Sequence, residues 1–152
     1  MRRGGFGLLL LATIACGGKQ ASPQPTPAAS VKSDPAIDGM LKGFADAILA
    51  KDYARAYEAI AMERRPTLPL SEFEEAISHY REGHESQLQV SIQVSPYDPD
   101  GASLLPDEYK GRIASEATLE FEPGGDEEGF TVLVWIVMEA GVPRLASFYV
   151  GD

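Results

Sequence analysis

Cysteine, histidine and basic residues are all scarce in this chain. Of its 152 residues one is cysteine and two are histidine, and 13 Lys and Arg stand against 23 Asp and Glu. The single cysteine, Cys16, cannot close an intramolecular disulfide. It cannot build a zinc site either, because His79 and His84 both lie more than 60 residues away. No metal and no cofactor is therefore expected. A formal net charge of −10 leaves no basic face for phosphates, which excludes nucleic acid as a partner. A membrane-spanning run is missing as well. The apolar stretch at residues 6–14 is interrupted by Gly7 and Thr13 and falls far short of the ~20 residues that a spanning helix needs.

What the N-terminus does contain is a positive start, Met1-Arg2-Arg3, followed by that short apolar run and then small residues, the layout of a secretory signal peptide. Within it, Thr13-Ile14-Ala15-Cys16 resembles the lipobox of bacterial lipoproteins. The resemblance implies cleavage before Cys16, removal of residues 1–15, and a diacylglycerol on the Cys16 thiol. A membrane would then be a partner through that lipid, and the location would be the bacterial cell envelope. Gly17 is not the aspartate that retains some lipoproteins at the inner membrane, which favours the outer one in a host with two. An ordinary signal peptide with an incidental cysteine is the alternative. Residues 16–36 fit a tether: they carry Pro23, Pro25, Pro27 and Pro35, three serines, and nothing apolar larger than Val31. Such a stretch cannot bury enough surface to offset its ordering entropy.

Residues 37–152 read as one domain. Asp34-Pro35 resembles an N-cap with proline at the first helical position. Ile37, Met40, Leu41, Phe44 and Ile48 then recur at helical spacing. Lys51-Asp52 interrupts, and Asp52 caps a second helix with Tyr53, Ala56, Tyr57 and Ile60 on one side. A third helix is predicted after Pro66 and Pro69, with Ser71 and Glu74 as a capping box, Phe73, Ala76, Ile77 and Tyr80 inward, and Gly83 as the stop. The period then changes to two. Leu88, Val90, Ile92 and Val94 alternate with polar residues, as do Ile113, Ala117, Leu119 and Phe121. Residues 130–138 are apolar on both faces, as in a central strand, and Ala140-Gly141 turns into a last strand over 142–150. The expected class is α+β, with N-terminal helices packed on a curved, mainly antiparallel four-stranded sheet.

This layout resembles the nuclear-transport-factor-like superfamily, the α+β cone shared with ketosteroid isomerases and SnoaL-like proteins. The likeness rests on "AKDYARAYEAI" (50–60), "LSEFEEAI" (70–77) and the closing "GVPRLASFYV" (141–150) with its basic Arg144. It implies a pocket inside the cone, for which Phe44, Ile48, Tyr57, Tyr80 and Trp135 are the lining candidates, and an open sheet face of the kind that forms homodimers. Pocket enzymes of this type need an inward carboxylate and oxyanion donors, and the alternation singles out no such set here. Asp52 reads as a cap, Tyr57 and Tyr80 as core aromatics, and His79 and His84 as surface or edge residues. "DPDG" (98–101), with Ser103 and Asp107, reads as a turn rather than a calcium loop. "GGDEEG" (124–129) reads as a solvated hairpin tip. The leading expectation is a non-catalytic envelope lipoprotein binding a small apolar ligand or an envelope protein. A proton-transfer enzyme of the isomerase type and a dimerising scaffold are the alternatives.

Overall fold

The computed structural model describes residues 34–82, 87–99, 105–109, 111–124 and 128–151. Cys16, the lipobox, the tether up to residue 33, Gly83, His84, Asp100, Gly101, Ser103 and residues 125–127 lie outside the described residues.

Asp34 caps the first helix, α1 (Pro35–Leu49), its carboxylate accepting from the Ala36 N–H at 2.8 Å. Pro35 occupies the first turn, where its missing N–H costs no hydrogen bond. The inward face buries Ile37, Leu41, Phe44, Ala45, Ala47 and Ile48. The helix ends in a Schellman motif: Lys51 N–H donates to the Ile48 carbonyl and Asp52 N–H to Ala47, at 3.0 and 2.9 Å. Lys51 sits at the left-handed position usually held by glycine, with φ 56°. Asp52 then caps α2 (Tyr53–Tyr57) through the Arg55 N–H. The third helix, α3 (Leu70–Glu82), starts earlier than the capping-box reading implies. Ser71 lies inside its first turn, and the Pro69 carbonyl accepts from Glu72 and Phe73.

Four antiparallel strands follow in meander order, β1 (Leu88–Ser95), β2 (Ile113–Pro123), β3 (Phe130–Glu139) and β4 (Val142–Gly151), in a sheet that does not close into a barrel. The class is therefore α+β, as expected, with helices covering one sheet face. That face meets the helices in one cluster in which Phe73 touches three aromatics: Phe44, Tyr57 and Phe148, at centroid distances of 6.3, 5.5 and 5.3 Å. Phe121 and Phe130 stack across β2 and β3 at 4.6 Å.

The opposite face carries a second, smaller core. Trp135, Val137 and Ala146 are buried there beneath Leu105 and Tyr109, which come from the β1–β2 connection and its 3₁₀ turn (Asp107–Tyr109). Two irregularities of register divide the side chains between the cores. Between Ile113 and Ser115 β2 slips against β3, so Ile113 joins the outer cluster while Ala117, Leu119 and Phe121 join the inner one. The reading of Ile113 as one of the inward series is thus corrected: a bulge inserts one extra residue and reverses the alternation. A matching shift opposite Trp135 and Ile136 sends Ala146 outward and Leu145 inward.

Candidate functional site

The two edges of the sheet are treated differently. At β4, Ile60 forms a parallel bridge with Leu145: Leu145 N–H donates to the Ala59 carbonyl at 2.8 Å and Ala61 N–H to the Leu145 carbonyl at 2.9 Å. Arg144 fastens this segment by donating to the Glu58 carbonyl at 2.6 Å, and Arg65 donates to the same oxygen at 3.1 Å. Pro143 and the bulge beside Ala146 also lie on this strand. The other edge, β1, carries no charge and no proline, and it pairs with β2 without a register shift. Among the described residues, no further backbone hydrogen bond reaches it.

Beside that edge lies a groove of about 570 Å³ between α1 and β1. Its floor is Val90, Ile92 and Val94. These point toward the helices, because their partners on β2 are Phe121, Leu119 and Ala117. Over them α1 presents Ala45 and a row of charged residues one turn apart, Asp38, Lys42 and Asp46. No large apolar side chain closes the gap, so Ile92 stays 37% exposed. Lys42 and Asp46 form an exposed i,i+4 ion pair at 2.8 Å.

On the other face of the same edge, β2 supplies carboxylates. Glu122, Glu120 and Glu116 stand opposite Gln89, Ser91 and Ser95. The Ser91 hydroxyl donates to Glu120 at 3.0 Å, and Ser95 to Glu116 at 3.4 Å. These two carboxylates therefore lean across β1 toward its open side.

A second groove, about 450 Å³, runs between α3 and β4, lined by Glu75, Ala76, His79, Tyr80, Phe148, Tyr149 and Val150. His79 is exposed and meets the Tyr80 ring edge-on at 5.4 Å.

The pocket candidates from the sequence separate into three places. Phe44 and Ile48 are fully buried in the inner core, and the half-buried Tyr57 packs against it, its hydroxyl donating to the Leu68 carbonyl at 2.7 Å. Tyr80 lines the α3–β4 groove. Trp135 is not with the others: it lies on the opposite face of the sheet, buried under Tyr109 and Leu105. Asp52 is a helix cap, as the sequence implied. Burial raises the Tyr53 phenol above its ordinary pKa, against the opposing pull of Arg81. It raises Tyr109 too, with Glu63 adding to the effect. Among the described residues no group of acidic, histidine or cysteine side chains is arranged to hold a metal.

The groove residues escaped the sequence reading, although two signals pointed to them. The row Asp38, Lys42, Asp46 flanks a small Ala45 where a large residue would close the core. The eight residues of β1 contain no charge in a chain that is 24% charged. No known protein family matches the chain, and no curated protein matches it.

Proposed function

We propose that this chain is a bacterial envelope lipoprotein, anchored through lipid on Cys16 and tethered by residues 16–36. Its domain, of the nuclear-transport-factor-like type, binds a ligand without transforming it. One observation carries the binding reading: the open space lies at the rim, between α1 and β1, while Phe44, Ile48 and Phe73 fill the interior. The groove's volume is that of an ordinary ligand site, and its apolar floor with charged residues at the mouth is the usual composition of one.

The anchor is tested by detergent phase partitioning. The native chain is expected in the detergent phase and the Cys16→Ala chain in the aqueous phase; an aqueous native chain overturns the anchor. Binding is tested on the Cys16→Ala chain with the neutral dye Nile red. Ile92→Lys puts a charge on the groove floor and is expected to weaken dye binding at least tenfold. Equal binding by both chains would remove the groove from consideration.

A further inference from the structure

We infer that the groove is completed by a partner, and that the partner is an extended polypeptide segment alternating apolar and basic residues, added as a fifth strand along β1. The inference rests on the binding reading above and names the ligand class for the same groove. Three features carry it.

First, among the described residues, β4 is partly blocked at its outer edge, at Leu145, while β1 carries no such block. Sheet edges are ordinarily blunted by charge, proline, a bulge or a covering segment. The β4 edge has a proline, an arginine, a bulge and the Ile60 bridge, whereas among the described residues β1 shows none of these over Leu88–Ser95. An uncharged, regular eight-residue strand offers its outward N–H and C=O groups to another backbone, which is how strand addition gains affinity.

Second, the groove floor requires apolar side chains from the newcomer. Residues directly opposite on paired strands bring their Cβ atoms within about 5 Å. A strand beside β1 would set every second side chain next to Val90, Ile92 and Val94, beneath Ala45 of α1. That covers the apolar surface that α1 leaves open.

Third, the alternate side chains of the same strand would emerge beside Ser91 and Ser95, where the Glu120 and Glu116 carboxylates already lie. Those two positions are four residues apart, roughly 13 Å along a strand. Glu122 extends the row opposite Gln89, whereas at the groove mouth Asp46 is already paired with Lys42. An incoming strand therefore meets a row of carboxylates on the face turned away from the helices, which favours lysine or arginine there and disfavours a second copy of this acidic chain.

The test uses the Cys16→Ala chain and isothermal titration calorimetry with three short synthetic peptides. One alternates valine and lysine, one alternates valine and glutamate, and one is the lysine peptide N-methylated along one backbone edge. The lysine peptide is expected to bind, and the other two to bind at least tenfold more weakly. Ile92→Lys should abolish binding. A chain carrying both Glu116→Gln and Glu120→Gln should keep its folding transition and lose most of the preference for lysine over glutamate. Equal affinity for the lysine and glutamate peptides overturns the inference, as does indifference to N-methylation. A dimer in sedimentation that Ile92→Lys dissociates assigns the edge to a second copy and also overturns it. If Nile red binds in an Ile92-dependent way while no peptide binds, the groove stands as a ligand site and the strand-addition inference alone fails.

Discussion

Lys51 and Ala140 adopt positive φ angles of 56° and 49°, a conformation that costs an L side chain roughly 1–2 kcal/mol. Both hold positions that reverse the chain. Lys51 closes α1 so that Asp52 can cap α2, and Ala140 with Gly141 makes the two-residue turn of the β3–β4 hairpin. Two consecutive positive φ values are what a type I′ turn needs, since its twist matches that of the strands. Lys51→Gly relieves the strain in the native state but adds freedom to the unfolded chain. The net expectation is a gain of about 0.5–1 kcal/mol, read as a higher midpoint in urea with an unchanged slope. A lower midpoint would mean that the Lys51 side chain contributes more than its backbone costs.

At the scale of elements, Phe73 of α3 meets aromatics from α1, α2 and β4 at once, within the core that joins the helices to the sheet. Phe73→Ala leaves a cavity where three elements converge and should cost about 3–5 kcal/mol in urea denaturation; a loss under about 1 kcal/mol would show that the cluster collapses to fill it. The sequence made these elements legible where polarity itself is periodic. The Leu88–Val94 alternation appears because one face of β1 is wet, and the α1 stripe appears because its other side is charged. Legibility ended where both faces are dry. β3 is apolar throughout, so nothing marked Trp135 as outward, and it was grouped with Phe44 and Ile48 across the sheet. The bulges left no signature either, since Ile113 keeps the sequence parity of Ala117 while facing the other way. Ser71 and Glu74 have capping-box spacing, yet the helix begins at Leu70. The groove was hidden for a further reason: it is made by what α1 does not place over β1, and an alternation pattern records residues rather than gaps.

For the whole molecule, the charge balance of −10 acts on every encounter. It repels other copies and attracts cations, and its reach is set by salt, with a screening length of about 10 Å at 0.1 M. The lysine peptide should therefore bind roughly tenfold more weakly when ionic strength rises from about 0.05 M to about 0.5 M, whereas Nile red, which is neutral, should respond little. A peptide affinity that is flat across that range would mean that the carboxylates near β1 take no part.

The bridge at Ile60 has a consequence for growth. In the language of polymerisation, a sheet open at both ends is a bifunctional monomer, and its additions propagate into filaments. Here Ala59, Ile60 and Ala61 occupy the outer edge of β4 at Leu145 from within the chain, and Arg144 holds them there. That block hinders a strand from pairing along the full length of β4. Among the described residues, strand addition is thereby biased toward β1, one partner per domain, and away from linking into a fibre.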